Sequence, residues 1–232
     1  MGIPKISILI PTRKRPQQLD RVISELTPVL SKEVELLVGI DEDDTSYDIN
    51  SLQDTEGVKV VRTPKTIYLS NIYNILFEYS RGEIIGYGSD DISFKNMQIF
   101  SKMLDVFKER GDILYFFSPG DEPYPLNVPD HAFVTAKSIR SLGFLALPNL
   151  EHGYIDHYLG RLYKEINHYH VDTGDYIQHL RASLPFDETY RIKSEERDES
   201  GLLPDDRDLK VFTEYSNNYL DIHKKIINSL HI

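Results

Sequence analysis

Residues 6–16 read Ile6-Ser-Ile-Leu-Ile-Pro-Thr-Arg-Lys-Arg-Pro16, a short β-branched run that ends in a proline and a basic turn. An apolar run of this kind is typical of a strand buried on both faces of a parallel sheet. Pro16 suits the first turn of a following helix. The apolar face of that helix would consist of Leu19, Val22, Ile23 and Leu26. The stretch therefore predicts a strand over 5–11, a polar turn and a covering helix.

The same alternation of apolar runs and amphipathic segments continues through the first half of the chain. Further strands are predicted at 34–40, 58–61, 83–87 and 112–117, and helices at 67–79 and 95–109. Strands that alternate with helices form a mostly parallel sheet with helices on both faces, joined by right-handed crossovers. The pattern therefore predicts an α/β fold for this half.

The second half of the chain is less regular. It predicts a strand at 132–135, helices at 137–142 and 153–166, a strand at 175–180 and a terminal helix at 208–230. No internal repeat and no low-complexity linker divides the sequence, and 232 residues are compatible with one large domain. The simplest organisation is a single domain with a mixed C-terminal half.

Composition and charge exclude several classes of protein. The 40% of hydrophobic residues can form a core, and the absence of cysteine excludes disulfides, thiolate catalysis and sulfur-bound zinc. The formal net charge of −11 disfavours nucleic acid as a partner. No apolar run reaches the ~20 residues of a transmembrane helix, and no signal-peptide core is visible. We therefore expect a cytoplasmic protein without a transmembrane segment.

Three polar clusters each follow a predicted strand directly: Thr12–Arg15 after the first, Asp41–Asp44 after the second and Ser89–Asp91 after the fourth. In open α/β sheets, ligands bind beyond the carboxyl ends of the strands, where the strand order reverses. With the strand order 3-2-1-4, all three clusters would lie at one crevice. The sequence therefore predicts a binding site there.

The chemistry of these clusters points to a cation and a phosphorylated ligand. Two adjacent carboxylates, Asp90 and Asp91, remain charged most easily beside a cation, and oxygen ligands suit Mg²⁺ or Mn²⁺. The alternative is that they cap a helix. Arg13 and Arg15 could donate to a diphosphate or a base edge. Asp41 could accept from a nucleobase or a ribose hydroxyl, whereas the other acids of its loop are expected at the surface.

Several familiar catalytic motifs are absent from the sequence. Gly86-Tyr-Gly88 lacks the third glycine of a dinucleotide-binding fingerprint and follows the fourth strand rather than the first. The chain contains no Walker A loop, no Gly-x-Ser-x-Gly elbow and no His-Glu-x-x-His motif. A dinucleotide-dependent dehydrogenase, a P-loop enzyme, a serine hydrolase of this type and a zincin are therefore disfavoured.

The opening strand and turn resemble those of the GT-A glycosyltransferases, particularly glycosyltransferase family 2. Asn74, Gly82-Glu83 and Gly88-Ser-Asp-Asp91 follow in the order and approximate spacing of that family. The resemblance extends over about residues 3–180 and is best over 3–92. It implies a GT-A type, Rossmann-like α/β fold, with a nucleotide-binding half at 1–118, an acceptor-side half at 119–207 and a C-terminal helix at 208–232.

The resemblance also implies roles for particular residues. Those expected to bind the donor are Pro11, Thr12, Arg13, Arg15, Asp41, Asn74 and Asp90. Those expected to hold the metal are Asp90, Asp91 and His179. Asp156 is the expected catalytic base, with Glu151 as the second candidate. His152 lies four residues before Asp156, so a helix would place both on one face.

The implied activity is transfer of a sugar from a nucleotide-sugar, with a UDP-sugar as the expected donor, to an acceptor hydroxyl. The acceptor would be a glycan, a lipid-linked molecule or a protein, the cofactor Mn²⁺ or Mg²⁺, and the stereochemistry inverting. Two alternatives stay open. One is a nucleotidyltransferase that forms sugar nucleotides, although residues 12–16 contain no glycine. The other is a non-catalytic nucleotide-sugar binder, because Gly88 and Tyr73 stand where the family often has aspartate and arginine.

Overall fold

The first strand, β1 (Ile6–Thr12), lies within a seven-stranded sheet and is fully buried. In this computed structural model, which describes residues 5–30, 33–65, 68–117, 131–180 and 201–230, β1 pairs in parallel with β2 (Val34–Asp41) and with β4 (Ile84–Tyr87). The third strand, β3 (Val58–Thr63), pairs in parallel with β2. This side of the sheet therefore has the order β3-β2-β1-β4, the condition on which the expected crevice depends.

The other side of the sheet contains one reversed strand. β7 (Ala132–Thr135) is antiparallel to both of its neighbours, β4 and β6 (Leu114–Phe117), and β8 (Tyr169–Asp172) is parallel to β6. All strands of this sheet except β7 therefore run in one direction. A separate two-stranded ribbon joins β5 (Ile92–Phe94) to β9 (Ile177–His179) in antiparallel pairing. The mostly parallel sheet and the mixed C-terminal half are both confirmed.

Helices cover both faces of the sheet. They are α1 (Pro16–Leu26), α2 (Ile49–Gln53), α3 (Leu69–Tyr79), α4 (Gln98–Arg110), α5 (Ala136–Leu142), α6 (His157–Glu165) and α7 (Pro204–Ser229). The side chains of β1 alternate between two hydrophobic cores: Ile8 packs with α1 and α4, whereas Leu9 packs with α3, α5, α6 and α7. None of the described helices combines the length and apolar character needed to cross a membrane.

The sequence patterns missed three elements and misplaced the starts of two helices, one of which, the terminal helix predicted from residue 208, begins at Pro204. β5, β8 and α2 are only three to five residues long, too short to show a clear period. The helix predicted from residue 153 begins at His157, because Tyr154 has a φ of 58°, which no α-helix accommodates. His152 therefore does not share a helical face with Asp156, and that prediction was wrong. The predicted boundary at 118/119 lies outside the described residues.

A buried carboxylate stabilises the far side of the sheet. Asp172, at the end of β8, accepts hydrogen bonds from the Tyr115 hydroxyl and the Gly174 N–H (2.9 Å) and forms an ion pair with Lys102 (2.7 Å). Burial raises the pKa of Asp172, but the bonds from Lys102, Tyr115 and Gly174 outweigh it, so the pKa lies below its usual value. The ionised carboxylate is therefore the form that the fold stabilises.

We expect Asp172→Asn to lower the free energy of unfolding by about 1–3 kcal/mol at pH 7. Because the folded-state pKa is lowered, the stabilisation is complete above the unfolded value of about 3.9 and is lost as the pH falls below it. The difference between variant and wild type should therefore shrink from pH 5 to pH 2. Urea unfolding across this range is the measurement, with exposed Asp105→Asn as the control. A difference that does not change with pH would contradict this assignment.

Candidate active site

The three polar clusters meet at the carboxyl ends of β1, β2 and β4. The Thr12 hydroxyl donates to Asp90 Oδ2 (2.6 Å), although the two residues are 78 positions apart, and Arg15 Nη1 lies 2.9 Å from Asp90 Oδ1. Arg13 forms an ion pair with Asp41 at the end of β2. We call Thr12, Arg13, Arg15, Asp41 and Asp90 the strand-end cluster.

Asp90 is the centre of the strand-end cluster. Its carboxylate is buried, and each oxygen is bonded to β1 or the turn that follows it, through Thr12 and Arg15. Burial raises the pKa of Asp90, and the charge of Arg15 and the bond from Thr12 only partly oppose this increase. A strand, β5, follows Asp91 directly, so the alternative that the two aspartates cap a helix does not apply.

Asp91 is paired with a histidine from the second half of the chain. The β5–β9 ribbon pairs Ile92 with His179, and His179 Nε2 lies 3.1 Å from Asp91 Oδ2. Burial raises the pKa of Asp91, but the bond and charge of His179, together with Ser89 and His131, lower it overall. The ring of His131 lies 5.0 Å from that of His179, centroid to centroid. His131 belongs to no sequence motif, so sequence reasoning missed it.

The Asp91–His179 pair suits a divalent cation in its chemistry. No cluster of three or more histidine, aspartate and glutamate side chains arranged around one point occurs within the described ranges. Carboxylate and imidazole are both ligands that Mn²⁺ accepts, and such ions take their remaining oxygens from phosphates and water. Both carboxylates are bonded within the protein, Asp90 to Thr12 and Arg15 and Asp91 to Ser89 and His179. The residues present therefore fit an ion held by Asp91 and His179 together with a phosphorylated ligand.

The loop after β2 forms the other wall of the crevice. Asp41 is buried and accepts from the Thr63 hydroxyl (3.1 Å), while the guanidinium of Arg13 contacts both Asp41 and exposed Asp43. The hydrogen bond to Asp43 is the largest cause raising the pKa of Arg13. The guanidinium of Arg13 is therefore charged, and it bridges buried Asp41 and exposed Asp43 at the edge of the crevice.

Asp44 and Tyr47 connect this loop to the turn after β1. Asp44 is buried and accepts from the Lys14 N–H (2.7 Å), so the expectation that it lies at the surface was wrong. The Tyr47 oxygen lies 2.7 Å from Thr12 Oγ1 and accepts from the Arg15 N–H (2.9 Å). Burial is the main cause that raises the pKa of Tyr47 to about 12. The crevice is therefore held by buried polar contacts, which a strand-end pattern alone does not reveal.

No family model and no curated protein sequence matches this chain. Among solved structures, S. aureus TarS with UDP-GlcNAc superposes with a TM-score of 0.62 at 12% identity, over 92% of this chain and 73% of that chain. The mannosyltransferase PcManGT from Pyrobaculum calidifontis, solved with GDP-Man and Mn²⁺, gives 0.59 at 12% identity, over 99% and 74%. This chain has the GT-A fold.

A third GT-A structure is similar over less of the chain. Glucosyl-3-phosphoglycerate synthase from Mycobacterium tuberculosis, solved with Mn²⁺, UDP and glucosyl-3-phosphoglycerate, gives a TM-score of 0.58 at 12% identity over 76% of this chain and 72% of that chain. The chain spans 59% of one TarS structure, solved with UDP, and 44% of a longer one. At these identities, the similarity concerns the fold.

Tyr73 of α3 is a buried residue that contacts the turn beside the strand-end cluster. Its hydroxyl donates to the carbonyl of Gly88 (2.6 Å), within the turn that leads to Asp90 and Asp91. Burial is the main cause that raises the pKa of Tyr73, and the charges of Asp91, Asp156 and Asp90 raise it further. Asp156 therefore lies within electrostatic range of the same buried hydroxyl as the two aspartates.

Residues 145–156 carry both predicted base candidates, and we call them segment 145–156. Asn74 of α3 accepts from the N–H groups of Leu145 (2.8 Å) and Ala146 (3.0 Å) and donates to the Ala146 carbonyl (2.8 Å). Both ends of its amide are thus bonded to this segment. In the structure Asn74 anchors segment 145–156 to the helix that carries Tyr73.

The two base candidates have different surroundings. Glu151 is buried, and its two oxygens lie 2.5 and 2.6 Å from the guanidinium of Arg207. Asp156 is partly exposed at the N-terminus of α6, and its Oδ1 lies 2.8 Å from His157 Nδ1. The carboxylate of Asp156 is therefore the more accessible of the two.

Proposed function

We propose that this protein is a glycosyltransferase that moves a sugar from a nucleotide-sugar to an acceptor hydroxyl. The observation that carries the proposal is the contact of Thr12 and Arg15 with Asp90, beside the Asp91–His179 pair, at one rim of the sheet. Arginine side chains and a pair of side chains that could hold a cation, close together, match the chemistry of a diphosphate. The GT-A neighbours solved with UDP-GlcNAc and GDP-Man support the same class of donor.

On the donor side, the residues divide by chemistry. We propose that Asp41, with Pro11 and Thr12 beside it, receives the nucleoside, because a carboxylate bonded to Arg13 and Thr63 still has lone pairs that can accept from a base N–H or a ribose hydroxyl. Arg13 and Arg15 are assigned to the phosphates, whose negative charge guanidinium groups bind well. We propose that Asn74 anchors segment 145–156 rather than binding the donor directly, because that segment already uses both ends of its amide.

A divalent ion, Mn²⁺ or Mg²⁺, would be held by Asp91 and His179, with Asp90 fixing the same turn through its bonds to Thr12 and Arg15. When bound, such an ion stabilises the negative charge that develops on the departing diphosphate. Arg15 lies at the same rim, where its Nη1 donates to Asp90 Oδ1 (2.9 Å). In this proposal, the departing diphosphate is therefore bound by residues that follow β1 and β4.

We assign the catalytic base to Asp156. The acceptor oxygen forms a bond to the anomeric carbon, the bond from that carbon to the diphosphate oxygen breaks, and the acceptor proton passes to the carboxylate of Asp156. A base on the face opposite the leaving group implies inversion. The charge of Glu151 is neutralised by Arg207, so this proposal gives Glu151 no part in proton transfer.

We also propose that the whole chain acts as one catalytic domain, with donor contacts from 1–118 and acceptor contacts from 119–207. The C-terminal helix takes part in the second half, because α7 begins at Pro204 and its first turns contact segment 145–156. The acceptor is assigned only as a molecule with a hydroxyl group, such as a glycan, a lipid-linked sugar or a protein.

The test is thermal unfolding with UDP, GDP, CDP and dTDP, each with and without Mn²⁺. We expect one nucleoside diphosphate, with UDP the leading candidate, to raise the Tm by about 5–10 °C at one hundred times its Kd. The shift should be smaller without Mn²⁺. Transfer from the matching nucleotide-sugar would then identify the enzyme.

Other outcomes of this test would support other functions. Binding without turnover over a broad acceptor panel would indicate a non-catalytic binder, and pyrophosphate release from a nucleoside triphosphate a nucleotidyltransferase. Absence of any nucleotide-dependent shift would contradict the proposal as a whole.

A further inference from the structure

Segment 145–156 is bonded to a buried carboxylate from the C-terminal helix. Asp208 of α7 has no exposed surface, and its two oxygens accept three successive backbone N–H groups. Oδ1 accepts from Glu151 (2.7 Å), and Oδ2 accepts from His152 (2.9 Å) and Gly153 (2.7 Å). The partners are 55–57 positions apart in sequence, so this contact is tertiary.

We propose that Asp208 is the positioning residue for Asp156, so that the C-terminal helix sets the geometry of the acceptor side. This inference rests on the proposed function, because it takes Asp156 to be the base. Asp208 itself bonds only to backbone N–H groups in the described structure, and it acts through the segment that it holds.

The chemistry of this contact favours a specific role. Consecutive backbone N–H groups that point to one centre form an anion-binding concavity, and a carboxylate fills it with charge-assisted bonds. Burying a carboxylate is costly unless it receives such bonds. An amide at this position would offer one oxygen and would turn an NH₂ group toward an N–H donor. The site therefore requires the charged, two-oxygen side chain.

Arg207 holds the same segment by its side chain. Its guanidinium binds both oxygens of Glu151 and also donates to the carbonyl of Leu202 (2.6 Å). Two adjacent residues of α7 therefore hold the backbone and the side chain of Glu151 at once. This explains why the second base candidate is buried and neutralised although it lies close to Asp156 in sequence.

The helix α3 holds segment 145–156 from the other side. The N–H of Leu69 donates to the Glu151 carbonyl and that of Ser70 to the Leu150 carbonyl, both at 3.2 Å, and the Ser70 hydroxyl accepts from the Leu150 N–H (3.0 Å). Because α3 also carries Tyr73, which contacts the turn before Asp90, segment 145–156 lies between that turn and α7. Asp208 is the residue that bonds the segment to α7.

A strained residue lies between the anchored backbone and the base. Tyr154 has a φ of 58°, a left-handed conformation that is unfavourable for a residue other than glycine. Its ring stacks on Phe212, one turn beyond Asp208 on α7, with centroids 5.3 Å apart. The chain needs this turn to pass from the bonded residues 151–153 into α6 at His157. Contacts with α7 therefore determine the path of the backbone that leads to Asp156.

A base displaced by about 1 Å can lose about 100-fold in rate, because proton transfer needs close approach. We therefore expect Asp208→Asn to lower the kcat of transfer at least about 30-fold, with the Kd for the nucleoside diphosphate unchanged within about three-fold. The same variant should speed deuterium exchange of the 151–153 amides. The matched control is Asp221→Asn, an exposed aspartate on the same helix.

The outcomes separate positioning from general destabilisation. A kcat within about three-fold of wild type, unchanged exchange at 151–153, or a parallel loss of nucleotide binding would each overturn the proposal. If Asp208→Asn does not fold, Arg207→Gln, at a more exposed position, should still give a selective decrease in kcat, and equal losses of kcat and nucleotide affinity would contradict it. If the wild type transfers no sugar, the proposed function fails, while exchange at 151–153 still decides whether Asp208 holds the segment.

Discussion

Asp156→Asn is expected to lower the kcat of sugar transfer about 10²–10⁴-fold, the usual contribution of a general base. The amide cannot take the acceptor proton, yet it has nearly the shape of the carboxylate. The Kd of the donor nucleotide should stay within about three-fold of wild type, because Asp156 immediately precedes α6 and is not part of the strand-end cluster. Steady-state transfer kinetics and nucleotide titration measure the two quantities.

The control for this variant is Glu165→Gln, which makes the same chemical change at the other end of α6. Glu165 lies in an ion pair with Arg161 and Lys224, so its effect should be limited to a small loss of stability. If Asp156→Asn retained more than a tenth of the wild-type kcat, another residue would have to serve as the base. A normal kcat for Asp156→Asn combined with a large loss for Glu151→Gln would transfer that role to Glu151.

The second large effect is expected for Asp91→Asn. This change removes the charge that pairs with His179, and we expect the Mn²⁺-dependent part of nucleotide binding to disappear. Transfer should decrease about 10²–10³-fold, comparable with the loss of one electrostatic contact to a transition state. Without nucleotide, we expect Asp91→Asn to lose about 1–3 kcal/mol of stability as well, because the buried carboxylate is bonded to Ser89 and His179, so each nucleotide-dependent shift is taken from the variant's own Tm. Thermal unfolding with and without Mn²⁺ separates these effects.

A matched control lies near the end of the same ribbon. Asp175 is exposed and pairs with Lys95, so Asp175→Asn changes a carboxylate close to β9 without touching the proposed ion. If Asp91→Asn kept a full Mn²⁺-dependent shift, the metal would bind elsewhere. If Asp175→Asn lost the shift equally, the ribbon as a whole, and not the Asp91–His179 pair, would be responsible.

The first half of the fold could be predicted because its signals are local. The β-branched run at 6–10, the proline at position 16 and the acidic residues after β2 and β4 each lie within one strand and its following turn. In a parallel sheet, strand order then determines which turns meet. This is why the contact between Thr12 and Asp90 could be anticipated, although the structure alone gives its length.

The candidate site was less predictable where buried polar groups connect loops. Asp44 belongs to an acidic run, which normally indicates solvent, yet it is buried because Lys14 adopts a positive φ and turns its N–H toward the carboxylate. His131 lies in a stretch without a hydrophobic repeat, and only the tertiary structure brings its ring next to that of His179. Such contacts depend on how two loops are placed relative to each other.

The sequence by itself determined the strands of the first half and their three polar ends, because apolar periodicity acts over a few residues. Only the tertiary structure decided that His179 reaches Asp91 through a ribbon, that Glu151 is neutralised by Arg207 and that Asp208 holds the backbone beside Asp156. These pairs join residues that are far apart in sequence, and nothing in the sequence around one residue indicates its partner. Burial makes them specific, since a charge removed from water must find its counterpart wherever the packed elements bring one.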